Sequence, residues 1–267
     1  MRRYLDFYLT SMKMAILTQI QHRAQNYFFM LGMIVEPVIY LVVWTTIANE
    51  QGGSIGGYTA GALSAYYIVW TLVRNMNIVM TPYGWEARIQ HGQLAGELLR
   101  PFHPIHNDLA FWAGWKFVVI LFWLPLAVIL TLIFKPSLHP TWIQGIAFLL
   151  AIWGAYLIRS MFSSLMGLLT FWTTRVGAIF ELYFALELVL SGRLVPIPLM
   201  PEWVQRIAIF LPFQWTFFFP INALVGSPSA RELVSGLGIQ ILWIVAGAAM
   251  FNLVWRFAIR RFSSVGN

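Results

Sequence analysis

Apolar residues run along the chain in six long blocks, at 27–48, 58–82, 109–134, 142–171, 175–192 and 235–258. A helix rises about 1.5 Å per residue and needs about 20 apolar residues to cross hydrocarbon. The blocks therefore predict an all-α membrane protein with six transmembrane helices. Trp44, Trp70, Trp112, Trp142, Trp172 and Trp255 fall near the block ends or within a few turns of them, where interfacial aromatics gather. No short-period repeat or soluble domain interrupts the pattern, so 1–267 reads as one membrane domain.

The stretches between the blocks have patterns of their own. In residues 1–26, Leu5, Leu9, Met12, Ile16 and Ile20 recur at helical spacing between Arg2, Arg3, Asp6, Lys13 and Arg23. That describes an amphipathic helix lying at the membrane surface, with a disordered basic tail as the alternative. The segment lacks the continuous apolar core and small-residue cleavage site of a signal peptide. Between the second and third blocks, "GQLAGELLRPFHPI" at 92–105 is polar and helix-forming, and it is stopped by proline. Farther on, "PEWVQRIAIFLPFQWTFFFP" at 201–220 is apolar enough to resemble a seventh crossing. However, Pro196, Pro198, Pro201, Pro212 and Pro220 divide it into pieces too short to span. The region 193–232 reads as an outer re-entrant helix pair sheltered by protein. A plain extracellular loop would leave Phe210, Phe213, Phe217, Phe218 and Phe219 in water.

Charge fixes the orientation. With six crossings, one side carries Arg2, Arg3, Lys13, Arg23, Arg88, Arg100, Arg260 and Arg261, with Arg175 and Arg256 at its boundary. The other carries Lys135, Arg193, Arg206 and Arg231, so both termini and the segment 84–101 are expected in the cytoplasm. A seventh crossing would send Arg256, Arg260 and Arg261 outside. Composition agrees with the pattern: 59% of residues are hydrophobic and 10% charged, and mean hydropathy is +0.71, more than a soluble domain of this size needs. The net charge of +7 therefore points to anionic headgroups, not nucleic acid. The absence of cysteine excludes disulfides, thiolate metal sites and cysteine nucleophiles.

The search for chemistry is largely negative. The chain contains no GxxxxGK[ST] phosphate loop, so it is not expected to bind and hydrolyse ATP by that route. His22, His91, His103, His106 and His139 all fall outside the predicted membrane core, leaving no histidine at depth to activate an intramembrane serine. Pro104 breaks the face that His103 and His106 would need to hold a metal, so no metal, cofactor or catalytic residue is assigned. More informative are the ionisable residues inside the spans, Glu36, Arg74, Arg159, Glu181 and Glu187, because each is unfavourable in hydrocarbon by about 2.5–3.5 kcal/mol without a partner. Arg159 and Glu187 lie at equal depth on neighbouring antiparallel helices and are expected to pair. Such a pair either fixes helix packing or, in a coupled carrier, relays protons or binds an ion. Trp70, Arg74, Asn77 and Thr81 share a helical face too polar for lipid, which is expected to look into the bundle or a partner subunit.

The order of these parts resembles the permease subunits of type-2 ABC exporters: amphipathic start, two spans, cytoplasmic helix, three spans, outer re-entrant pair and final span. The resemblance covers essentially the whole chain. "GELLRPFHPI" at 96–105 and "LPFQWTFFFPINALVG" at 211–226 are similar to the segments that mark one bacterial branch of that family. It implies a multi-pass protein of the bacterial plasma membrane that works with a second permease subunit, identical or related. It also implies a separate ATP-binding cassette ATPase subunit, on which ATP and Mg would bind. The segment 86–99 takes the place of the family's coupling helix. Ile89, Leu94, Leu98 and Leu99 would then fill a groove on the ATPase, with Glu86, Arg88, Glu97 and Arg100 at its rim. A helix resting on the membrane surface is the other reading of that pattern. The competing function is a self-sufficient ion- or proton-coupled carrier using Glu36, Glu181 and Glu187.

Overall fold

The computed structural model describes residues 2–21, 23–173 and 176–262. Arg175 and His22 lie outside the described residues, as do the side chains of Arg2 and Arg23. Eleven α-helices carry the described fold: α1 (Arg2–Gln21), α2 (Arg23–Glu50), α3 (Ala60–Met76), α4 (Pro82–Gln90), α5 (Gln93–Leu98), α6 (Pro104–Phe134), α7 (Trp142–Gly167), α8 (Gly177–Leu190), α9 (Glu202–Ile209), α10 (Phe218–Val225) and α11 (Ala230–Ala258). Among the described residues, three helical stretches are long and apolar enough to cross a membrane: Pro104–Phe134, Trp142–Phe171 and Ala230–Arg261.

Local chemistry sets the helix ends, and several differ from those the apolar blocks predict. Thr59 accepts a hydrogen bond from the Ala62 N–H and starts α3 after a two-strand turn in which Ser54 pairs with Thr59. Thr81 does the same for α4, accepting from Gly84, with Pro82 at the first helical position. The block 58–82 is thus shortened at both ends to a 17-residue helix. Capping boxes open α7, through Thr141 and Gln144, and α11, through Ser229 and Glu232. His103 caps α6 and Pro104 begins it, so this helix starts before the apolar block does. The end of α7 tightens into a 3-10 turn at Leu168–Phe171, and α8 is only 14 residues long.

α3 forms the middle of the bundle. Tyr66, Tyr67, Trp70, Val73 and Met76 are buried on it against α2, α6, α7 and α10. Its predicted polar face is divided. Trp70 and Asn77 are fully buried and Arg74 partly so, but Thr81 is exposed and serves as the α4 cap.

α1 lies along α6. A Cβ on Gly114 would stand 2.5 Å from the Met12 carbonyl oxygen, so glycine at this position permits the two backbones to approach. Ala15 is buried in the contact, and Tyr8 meets His106 Nδ1 at 2.8 Å. Leu5, Leu9 and Ile20 of the predicted apolar stripe remain exposed.

Between α9 and α10 the chain turns deep inside the bundle. The Thr216 carbonyl accepts from Asn77 Nδ2 at 2.6 Å, and the Trp215 carbonyl accepts from Gln240 Nε2 at 2.8 Å. The Phe218 N–H donates to the Ser191 carbonyl at 2.9 Å. These side chains and loops satisfy backbone groups that have no helical partner at the turn. Phe213, Phe217 and Phe219 are buried there, whereas Phe210 is exposed.

Candidate functional site

Two regions gather the polar side chains. The first is the elbow formed by α4, α5 and the start of α6. Gly92, at φ 72, adopts the left-handed backbone that favours glycine and separates α4 from α5. The segment 86–99 is therefore divided between two short helices, a correction to the single helix expected from sequence.

Trp85 anchors the elbow. It is fully buried, donates from Nε1 to Ser164 Oγ at 3.0 Å and packs on Phe251 and Trp255. Above its ring, at 4.5 Å, lies the Arg88 guanidinium. Arg88 Nη2 donates to both Asp108 oxygens, at 2.7 and 2.6 Å, and Nη1 donates to Glu97 Oε2 at 3.0 Å. Burial pulls the Arg88 pKa down, but the attraction of Asp108 and Glu97 outweighs it and holds the group above its ordinary value. One guanidinium thus ties α4, α5 and α6 together.

The expected docking residues separate accordingly. Leu94 is fully buried in a cluster with Trp85, Ile105, Met161, Leu168 and Phe251, and Ile89 and Leu98 pack against the same cluster. Leu94 thus fills the chain's own interior, whereas Ile89 and Leu98 pack against that cluster and stay partly exposed. Arg88 is buried, and Glu97 is paired with it, so Arg88 is not a rim contact. Glu86 is partly buried and accepts from Gln90. Leu99, 89% exposed, and Arg100 form the free tip. The sequence pattern could not separate the two roles, because an apolar side chain at helical spacing looks the same whether it packs inward or outward. Asp108 was missed as a site residue, although an acid at the start of an apolar helix after a basic segment was a usable signal.

Beside the elbow, His103 Nδ1 accepts from the Ile105 N–H at 3.2 Å, and its ring stands 4.3 Å from that of Trp255. Burial, with a smaller contribution from His106, lowers its pKa to about 4. The imidazole is therefore held in its neutral form. Among the described residues no group of three His, Cys, Asp or Glu side chains is placed to hold a metal ion.

The second region is the polar centre around Asn77 and Phe217. Arg159 and Glu187 come together as a bidentate pair, Nε to Oε1 at 2.6 Å and Nη2 to Oε2 at 2.8 Å. Arg159 Nη1 also donates to the Asn77 carbonyl. Glu187 is 1% exposed, so this carboxylate is fully engaged inside the protein. The other predicted buried ions differ. Glu36 and Arg74 pair with each other but stay partly exposed, and Glu181 is exposed, accepting from the Tyr83 hydroxyl at 2.6 Å. Glu181 is corrected from a buried to an exposed group: it shares the outer face of α8 with Leu182, while Phe180 and Tyr183 of the same turn point inward.

Sequence reasoning also missed two cations. Arg193, assigned to an outer loop, reaches inward to Glu36 at 3.3 Å. Lys116 is fully buried on α6, donates to the Ile78 carbonyl and stands 4.8 to 5.9 Å from the rings of Tyr156, Trp112 and Trp115. A lysine inside a predicted span met the same criterion that selected Arg74 and Arg159, so this signal was present in the sequence.

Both regions hold helices against one another through buried side chains and ion pairs. Residues 34–266 match the family described as ABC-2 family transporter protein. The chain belongs to that family and is an ABC-2 type permease subunit. No curated protein matches it.

Proposed function

We propose that this chain is the membrane-spanning half of an ATP-driven exporter, pairing with a second permease subunit and recruiting separate ATPase subunits that bind ATP and Mg. In this reading α2, α3, α6, α7, α8 and α11 are the six spans, α1 is the interfacial helix, and α9 and α10 form the outer re-entrant pair. Both termini and the α4–α5 elbow then face the cytoplasm of a bacterial cell.

The observation that carries the reading is the construction of the elbow. Leu99 and Arg100 project from a segment that Arg88, Asp108 and Glu97 clamp to α6 and that Trp85 and Leu94 root in the bundle. A lever must be stiff to transmit motion, and an exposed leucine at its tip supplies an apolar contact for a partner. The acids offer less to a proton-coupled carrier: Glu187 and Glu36 are already ion-paired and Glu181 is at the surface.

The test is to change Leu99 to Asp and Arg100 to Glu together. Both side chains are exposed, so the protein should insert and fold as before but retain the ATPase subunit about tenfold less well on purification. Transport should stop on ATP depletion with the proton gradient intact. Equal ATPase recovery from wild type and variant, with equal transport, would assign the elbow to the membrane surface instead.

A further inference from the structure

Three charged side chains meet at the level where the six-span reading puts the bilayer interior. Glu36 lies about 21 Å along α2 from Glu50, and Arg74 about 21 Å along α3 from Ala60, at about 1.5 Å per residue. Arg74 Nη2 reaches Glu36 Oε2 at 2.7 Å, and Arg193 Nη2 reaches Glu36 Oε1 at 3.3 Å. Two guanidinium groups therefore share one carboxylate. The neighbouring acid is not free to help, because Glu187 is held by Arg159. The guanidinium groups of Arg159 and Arg193 each stand 5.9 Å from the Phe217 ring. Among these described residues the triad carries one positive charge more than it neutralises, in a region where an uncompensated charge is strongly unfavourable.

The geometry also indicates which cation can change partners. Arg74 has the short contact to Glu36 and lies over the Trp70 ring at 5.6 Å. Arg193 has the long one, and its Nε is buried without a hydrogen-bond partner. All three side chains are open on one side, with relative exposures of 26% for Arg74, 30% for Glu36 and 23% for Arg193. Along α2, Ile39 and Val43 follow Glu36 at helical spacing and are themselves exposed. A partly exposed charged cluster thus borders two exposed apolar side chains.

We propose that Arg74 and Arg193 form a binding site for the anionic headgroup of an amphiphilic cargo, a carboxylate or phosphate carried on an apolar chain that lies along Ile39 and Val43. This rests on the transporter reading given above and names the class of its substrate. Guanidinium groups suit the role because their planar donors match carboxylate and phosphate oxygens in pairs. Glu36 is the internal competitor. It occupies the two cations when no cargo is bound, keeps the site from holding an anion too tightly, and yields Arg193 first.

Binding can be measured on the purified permease in neutral detergent, by thermal unfolding and direct titration. The probes are lysophosphatidylglycerol and oleate, against lysophosphatidylcholine of equal chain length and inorganic phosphate. The two anionic amphiphiles should bind saturably and raise Tm, and the two controls should not. Arg193→Gln and Arg74→Gln should each weaken binding about tenfold, as expected for loss of a paired guanidinium contact. Glu36→Gln should tighten it, which a purely structural triad would not do. An equal response to lysophosphatidylcholine would overturn the site, and an equal response to inorganic phosphate would reassign it to free anions. Dissociation of a permease dimer in Arg193→Gln, with the amphiphile response unchanged, would give the excess charge to a second copy of the chain. ATPase recovery is scored on the same preparations. Loss of the amphiphile response with the ATPase still bound would defeat this site and leave the permease reading intact.

Discussion

Arg88 and Arg159 both pair a guanidinium with a carboxylate, Arg159 through two nitrogens on Glu187 and Arg88 through Nη2 alone on both Asp108 oxygens, in two different surroundings. Arg159 meets one carboxylate, a backbone carbonyl and an aromatic face in the bundle interior. Arg88 meets two carboxylates at the elbow, and the second, Glu97, is partly open to solvent. The interior pair is balanced, one charge against one. The elbow has a carboxylate to spare, and water can compensate the difference. The interior pair leaves no charge over, the elbow can carry a redundant acid because water reaches it, and fully buried Lys116 has the Ile78 carbonyl and three aromatic rings around it. The Glu36 triad differs from both, with two guanidinium groups on one carboxylate and all three side chains partly exposed.

The comparison breaks most sharply at Glu187. Glu187→Gln leaves Arg159 buried without its counter-ion and should destabilise the fold by about 3–5 kcal/mol. Arg159→Gln in the same chain should recover part of the loss, with a coupling of about 0.5–3 kcal/mol in a double-mutant cycle read by thermal unfolding. Strictly additive effects would show that the pair is not energetically coupled.

A smaller loss is expected at the elbow. Asp108→Asn removes the main partner of Arg88 but leaves Glu97, so stability should fall by about 1–3 kcal/mol. Proteolysis should cut near Gly92 faster in this variant, because α4 and α5 are no longer tied to α6. A loss equal to that of Glu187→Gln would mean that the second carboxylate contributes nothing. Glu97→Gln, which leaves the Asp108 pair intact at a more exposed position, should have a smaller effect still, within about 1 kcal/mol.

A separate effect should come from pH. His103 has its pKa lowered to about 4 by burial and by His106, from an ordinary value near 6.5. The unfolded chain therefore takes up a proton before the folded one does. The stabilisation from the neutral imidazole is complete above about pH 6.5 and is lost as pH falls towards 4. A fall in Tm should appear over that window in the wild type and be flatter in His103→Asn, which keeps a capping acceptor but does not titrate.

Much of this molecule was legible in the sequence. The apolar blocks located the three helical stretches long and apolar enough to cross a membrane, Pro104–Phe134, Trp142–Phe171 and Ala230–Arg261, because a segment shielded from water must satisfy its own backbone and is hydrophobic over a length set by geometry. Depth counting brought Arg159 and Glu187 together, since helical rise converts sequence position into height. The prolines of 196–220 foretold short pieces, because each removes a backbone donor. Direction was not legible. Leu94 and Leu99 belong to one apolar pattern, yet one is sealed inside and the other is the exposed tip. Nor could the sequence see that Arg193 turns inward or that Asp108, rather than water, receives Arg88. Those outcomes depend on which faces of the helices meet, and that is decided by contacts between residues far apart in the chain: Gly114 against Met12, Asn77 against Thr216, and Trp85 against Ser164. Periodicity fixes a helix and its depth, but its rotation about its own axis is set only when its neighbours pack against it.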